Sequence, residues 1–202
     1  KLDTVITCFG IGLIPTGSQD PYALRRQSAG IMQMILDHEL KLSVVDLLTI
    51  GLDVAEGSQL LKRDRHEVLN DLLEFLKLRV KNTLQEQGTR YDVIDAVLYG
   101  KLDQVDVAVK KAAGLMEQLE KPEFKGVVEA LSRVTNIATK AGDLSQIDTS
   151  LFEGEQEKVL YEAYVEADQT VQQLLQGGAV HEAYGALIKT KDAINLYFDH
   201  TM

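Results

Sequence analysis

The sequence predicts an all-α protein in two parts. Apolar residues recur at three- and four-residue spacing along most of the chain, as one buried helix face requires. No segment shows the strict alternation of a half-buried strand, and no hairpin turn or fixed-period repeat appears. Three prolines, Pro15, Pro21 and Pro122, all stand where helices permit them. With 202 residues and 45% hydrophobic content, the chain can bury a sizeable core and is not disordered.

The elements follow in order. Residues 2–14 read as an apolar helix end running into the loop Pro15-Thr16-Gly17-Ser18-Gln19. A helix is expected from about Asp20, with Pro21 in its first turn and an apolar face at Leu24, Ile31, Met32, Ile35 and Leu36. Ser43 caps a second helix that carries Val44, Leu47, Leu48 and Leu52 and ends at Gly57. The polar shift over 58–65, with Lys62, Arg63 and Arg65, marks the expected division between 1–60 and 61–202. A long helix then spans about Asp64 to Gln87 on the stripe Val68, Leu72, Phe75, Leu76, Arg79, Val80 and Leu84, with Gly88 as its stop.

Further helices are expected at Tyr91–Tyr99 and at about Asp103–Leu119. Pro122 opens the next, striped by Phe124, Val127, Val128, Leu131, Val134 and Ile137 and closed by Gly142. An acidic loop, 143–153, leads to a helix over about Glu155–Gln176; Gly177-Gly178 breaks it, and Val180–Phe198 forms one or two closing helices.

Charge narrows the function classes. The formal net charge is −10, which excludes a uniformly basic domain that coats phosphates. The cations are concentrated: residues 62–142 hold 14 basic and 13 acidic groups, while 143–202 hold 3 and 11. Any polyanion contact belongs in the middle segment. The lone Cys8, set among Val5, Ile6 and Phe9, reads as a buried, inert thiol in a reducing cytoplasm. No stretch reaches the ~18 apolar residues of a membrane span. The first residue is Lys1, and the last stretch is still apolar and periodic, so the sequence reads as a piece of a longer protein.

Motifs for catalysis are weak. Gly10-Ile11-Gly12-Leu13-Ile14-Pro15-Thr16-Gly17 lacks both the dinucleotide fingerprint and the Lys-Ser/Thr ending of a P-loop. Arg25 and Arg26, one turn into the following helix, offer a modest anion site, though at least one is expected in a salt bridge. His38, His66, His181 and His200 make no metal-ligand spacing, and no Ser-His-Asp or Cys-His set is visible. Neither a catalytic residue nor a metal site is assigned. Arg133, Asn136 and Lys140 share one helix face, expected opposite the apolar stripe, and present a fork donor, an amide and a point charge. Arg90 and Tyr91 stand at a loop-to-helix junction, where a cation and a ring can receive an unstacked base. On spacing alone a solvated charged face with an amphipathic tyrosine is the better account of both groups.

One resemblance covers essentially the whole chain. The run Phe9-Gly10-Ile11-Gly12-Leu13-Ile14-Pro15-Thr16-Gly17-Ser18-Gln19-Asp20-Pro21-Tyr22-Ala23-Leu24-Arg25-Arg26 closely resembles the beta subunit of bacterial glycyl-tRNA synthetase. So do Tyr91-Asp92-Val93-Ile94-Asp95-Ala96-Val97-Leu98 downstream, and Arg133-Val134-Thr135-Asn136-Ile137 with Ile194–Met202. The resemblance implies an enzyme of two alpha and two beta subunits that joins glycine to its tRNA with ATP in the cytoplasm. The adenylate-forming site would belong to the alpha subunit, so this piece would hold no cofactor and would grip tRNA without catalysing. Residues 1–60 would be the end of an HD-like helical domain toward the acceptor arm, with Arg25 and Arg26 on that side. Residues 61–202 would be an anticodon-binding bundle like that of arginyl-tRNA synthetase, lacking its last helix and so exposing an apolar groove at Ile194, Leu196 and Phe198. Its expected tRNA contacts are Arg133, Asn136 and Lys140, then Arg90 and Tyr91. Two other readings fit parts of the chain: a helical protein–protein adaptor docking through its acidic last third, and an arginyl-type anticodon domain over 61–202. A metal phosphohydrolase would need a His/Asp cluster that the sequence lacks.

Overall fold

The computed structural model describes residues 1–100, 102–139 and 147–201. Among them the α-helices are α1 (Leu2–Gly10), α2 (Leu24–Asp37), α3 (Val44–Gly57), α4 (Arg65–Glu86), α5 (Tyr91–Val97), α6 (Val105–Leu119), α7 (Phe124–Ala138), α8 (Glu155–Gln176), α9 (Val180–Ile188) and α10 (Thr190–Thr201). A 3-10 turn at Thr149–Leu151 precedes α8. The described residues hold no strand, only an isolated bridge between Thr16 and Gln19. The expected all-α class is therefore the observed one. None of the described helices is long and apolar enough to cross a membrane.

The chain divides into two compact units, Lys1–Ala112 and Ala113–Met202. The expected division at 60/61 does not coincide with this one. The reason is α4, whose buried ridge packs on α1, α2 and α3 and so ties the segment after residue 61 to the one before it.

In the first unit that ridge is Val68, Leu72, Leu76, Val80 and Leu84, each at most 1% exposed. Side chains this deeply buried contribute about 1.5–3 kcal/mol each in transfer free energy. The surrounding helices supply Val5, Ile6 and Phe9 from α1, Leu24, Met32 and Ile35 from α2, and Val44, Leu48 and Leu52 from α3. Helix α1 and α3 approach closely at Gly51, where any Cβ would run into the Ile6 side chain. Ser43 is the cap expected of it, and Asp64, expected as the start of the long helix, caps it instead. Ser43 accepts a hydrogen bond from the Asp46 N–H at 3.0 Å, and Asp64 accepts from His66 and Glu67 at 2.9 and 3.1 Å.

Helix α2 starts later than expected. Pro21 stands in a turn closed by the Ala23 N–H on the Asp20 carbonyl, at 3.0 Å, and the helix begins at Leu24. Asp20 still serves the helix: its carboxylate accepts from the Leu24 and Arg25 N–H groups at 2.7 and 3.0 Å, satisfying two otherwise orphaned donors. The turn forces Ala23 to φ 53°, ψ 38°, a left-handed conformation that an alanine adopts at a cost.

The second unit is built on α8 against α9 and α10, with α7 on α10. The N-terminus of α8 is closed by Glu157, which accepts from the Glu153 and Gly154 N–H groups at 2.6 and 2.9 Å. Only part of the α7 stripe is buried. Phe124, Val127 and Ala130 are, and Ala130 meets Ile194 and Phe198 of α10. Val128, Leu131, Val134 and Ile137, expected in the core, are 36–44% exposed. Helix α7 meets the α10 core at Ala130, and Leu131 and Val134 on the flank of its stripe open on an apolar groove of about 490 Å³. Leu131, Val134, Phe152, Tyr161, Tyr164 and Ile194 line it. Of the groove residues expected, Ile194 is there; Leu196 is exposed elsewhere, and Phe198 is buried under another side chain.

Two stability predictions follow from the first unit. Leu72→Ala should cost about 2–5 kcal/mol in denaturant unfolding, whereas Leu78→Ala, at a 46% exposed position one face over, should stay within about 0.5 kcal/mol. Equal losses would place the α4 ridge elsewhere. Ala23→Gly should raise stability by up to about 1 kcal/mol, because glycine adopts the left-handed backbone freely; a loss would mean that the turn before α2 is not left-handed.

Candidate nucleic-acid interface

The residues expected to meet RNA lie in both units. Arg25, Arg26, Arg90 and Tyr91 belong to the first, Arg133 and Asn136 to the second. Lys140 lies outside the described residues.

In the first unit the cations are largely engaged. The Arg25 Nη2 donates to the Gly17 carbonyl at 2.8 Å, so this side chain ties the Pro15–Gln19 loop to α2; Arg26 is exposed. Arg63 donates to the Phe9 carbonyl and pairs with Asp71 at 2.8 Å. Arg65 grips Asp53 and Glu56 on α3 at 2.6 and 3.0 Å. These two arginines, part of the basic cluster in the sequence, therefore hold α4 to α1 and α3.

Arg90 is the residue before α5, and its guanidinium forms a fork with Asp92: Nε to Oδ1 at 3.1 Å and Nη2 to Oδ2 at 2.7 Å. The Asp92 carboxyl is held below its usual range by that donated pair and by the Val93 N–H, which favour the charged form. The pair fixes Arg90 on the surface beside Tyr91, which is 77% exposed. The charge of Arg90 is thus already answered by Asp92.

In the second unit the arrangement differs. Residues 113–202 carry seven basic against fifteen acidic side chains, and four of the seven cations, Lys121, Lys125, Arg133 and Lys140, fall between residues 121 and 140. On α7, Lys125 pairs with Glu129 at 3.6 Å. Arg133 is exposed and has no carboxylate within ion-pair distance among the described residues. Its Cζ stands over the Phe198 ring, 4.1 Å from the centroid, a cation–π contact. Asn136, one turn on, is exposed as well. The expectation that this face lies opposite the apolar stripe is corrected at Arg133. The side chain leans across an α10 ring because Ala130, three residues back, brings α10 alongside.

Sequence reasoning placed Arg79 in the buried stripe but missed two ring contacts, that of Arg79 with Phe75 and that of Arg133 with Phe198. Arg79, read as part of the α4 stripe, is indeed buried, with its guanidinium 5.0 Å from the Phe75 ring centroid and its Nε without a partner. Burial and the charge of Arg25 make its protonated form less favourable, while Asp20 partly compensates. The signal was its place among apolar residues at helical spacing. Phe198 as the support for Arg133 had no local signal. The remaining chemistry-bearing groups are inert or scattered. Cys8 is buried, and desolvation with the Asp20 charge pushes its thiol above the ordinary range, so it stays protonated. Among the described residues no three His, Cys, Asp or Glu side chains gather as metal ligands would.

Known sequences align with this chain throughout. A model of the glycyl-tRNA synthetase beta subunit family matches residues 1–99, and so runs across the boundary expected at 60/61. Over all 202 residues the chain is 53% identical to the glycine–tRNA ligase beta subunit of Halalkalibacterium halodurans, 42% to that of Shouchella clausii and 41% to that of Bacillus subtilis. In the first two it spans 29% of the relative's length and in the third 28%. Residues 1–99 thus match the glycyl-tRNA synthetase beta subunit family, and the chain is similar to such subunits over its whole length.

Proposed function

We propose that this chain is a tRNA-gripping part of a glycine–tRNA ligase, holding glycine tRNA from its anticodon side while ATP-dependent aminoacylation proceeds at a partner alpha subunit. In this reading the complete enzyme is a cytoplasmic assembly of two alpha and two beta subunits. ATP is bound by the alpha subunit, and the 202 residues supply neither a catalytic group nor a cofactor site. The likeness to such subunits supports the enzyme class. The observation that carries the tRNA role is Arg133: an exposed guanidinium on α7, without an ion pair among the described residues, in a unit otherwise dominated by carboxylates.

The division of labour follows from the chemistry of each group. Arg133 offers a planar fork to a phosphate or to a base edge, and Asn136 one turn on offers an amide that both donates and accepts. Splayed anticodon bases are read on such edges, and phosphates fix the register without reading sequence. Lys140, seven residues after Arg133 in the sequence, would add a point charge. Tyr91 offers a stacking surface in the first unit, and Arg90, neutralised by Asp92, serves as its support rather than as a phosphate clamp. Arg25 and Arg26 would face the acceptor arm; the hydrogen bond of Arg25 to Gly17 leaves Arg26 the better donor of the two.

In the complete alpha–beta enzyme, Arg133→Ala should weaken binding of glycine tRNA by roughly 5- to 100-fold at fixed salt, the loss of about 1–3 kcal/mol expected for one specific contact. If Arg133 meets a phosphate, the slope of affinity against salt should also fall by about one. Wild-type affinity together with wild-type charging would remove Arg133 from the interface.

A further inference from the structure

A free arginine on an acidic surface does not stay free unless something holds it. Glu129 lies one helical turn before Arg133, at the spacing and in the order that favour an ion pair on a helix surface. Eleven of the fifteen carboxylates of the second unit lie C-terminal to Arg133 in the sequence, so candidates for capture are many. Yet Glu129 pairs with Lys125, and Arg133 lies over Phe198.

Phe198 is itself rigidly placed. It is 7% exposed, packs with Ala130 and Ile194 in the α7–α10 core, and meets the neighbouring Tyr197 ring edge-on at 5.6 Å and 81°. Its face is what remains for Arg133. A ring contact binds the guanidinium without consuming its N–H donors, which an ion pair with Glu129 would do. It also removes beforehand much of the rotamer freedom that a long side chain loses on binding.

We propose that Phe198 is a positioning residue for RNA: its ring holds the Arg133 guanidinium clear of Glu129, the acidic side chain of α7, and presents its donors to a tRNA phosphate or base edge. This rests on the reading of Arg133 as a tRNA contact. Phe198 acts through Arg133 and touches no nucleotide.

The test is a double-mutant cycle on tRNA affinity in the complete alpha–beta enzyme, with thermal unfolding of each variant recorded alongside. Phe198→Leu keeps an apolar side chain in the α10 core but removes the ring face. It should weaken glycine-tRNA binding about 2- to 30-fold, the range of a cation–π contact. Phe198→Tyr, which keeps the ring, should bind within about twofold of wild type. Phe198→Leu combined with Arg133→Ala should be no weaker than Arg133→Ala alone. Wild-type affinity for Phe198→Leu beside a weakened Arg133→Ala overturns the positioning role and leaves Arg133 a tRNA contact. Additive losses, or failure of Phe198→Tyr to restore binding, would assign the ring's effect to the fold and overturn the proposal as well. Wild-type affinity for Arg133→Ala removes the reading of Arg133 and the proposal with it.

Discussion

The buried ridge of α4 is the constraint on which the first unit depends. Five aliphatic side chains, Val68 to Leu84, face α1, α2 and α3 together, so none of those helices can bury its own stripe without α4. The same helix carries the polar anchors. Arg63, just before it, holds the Phe9 carbonyl and Asp71, and Arg65 at its first position holds two carboxylates of α3. Exposed ion pairs add little each, about 0–1 kcal/mol. Their value here is directional: they fix the rotation of α4, while the apolar ridge supplies the affinity between helices. Arg79 shows what that rotation entails. Placed on the ridge by helical spacing, it must be buried, and it is accommodated by stacking on Phe75, whose ring also meets Phe9 at 5.0 Å.

That packing explains why the fold was legible and the division was not. Helix periodicity is a local property, and caps such as Ser43 and Asp64 announce themselves within four residues; α3, α4 and α8 accordingly begin within a residue of expectation. A boundary is a statement about which ridges face each other. The polar stretch at 58–65 looks like a linker by composition, yet two of its arginines tie α4 to α1 and α3. The late start of α2 has a similar origin. Asp20 was read as the first residue of a helix, and its carboxylate does cap that helix, but from a turn that places three residues between cap and helix.

The α7 stripe separates pattern from burial more sharply. Six apolar positions at helical spacing describe a broad face, yet of these only Phe124 and Val127 are buried, and the neighbouring Ala130 makes the contact with Ile194 and Phe198 of α10. Leu131 and Val134 line an apolar groove together with three tyrosines, Tyr161, Tyr164 and Tyr197, while Val128 and Ile137 are exposed outside it. Periodicity identifies which residues can be buried together; the neighbour decides which are. The candidate site follows the same rule. Arg133 and Asn136 were legible because they sit one turn apart on one helix. The Arg90–Asp92 fork lies within reach of sequence reasoning too, at a two-residue separation. The Phe198 ring was not, because its link to Arg133 joins positions 65 residues apart and exists only once α7 and α10 are packed.

The net charge of −10 gains a specific meaning from that contact. At physiological ionic strength the Debye length is ≈ 8 Å, so carboxylates farther than that repel a phosphate only weakly, while a guanidinium in direct contact acts at full strength. An acidic unit can therefore bind RNA if it controls where its few cations point. Surface lysines give no such control, since a flexible ammonium beside a carboxylate pairs with it, as Lys125 does with Glu129. An arginine laid on an aromatic ring does, because the ring competes with the neighbouring carboxylates without using the donors that RNA needs. On this view the acidity is no obstacle to specificity. If Arg133 is a tRNA contact as proposed, that acidity suppresses adventitious contacts with nucleic acid over most of the surface and leaves the placed guanidinium as the point of attachment.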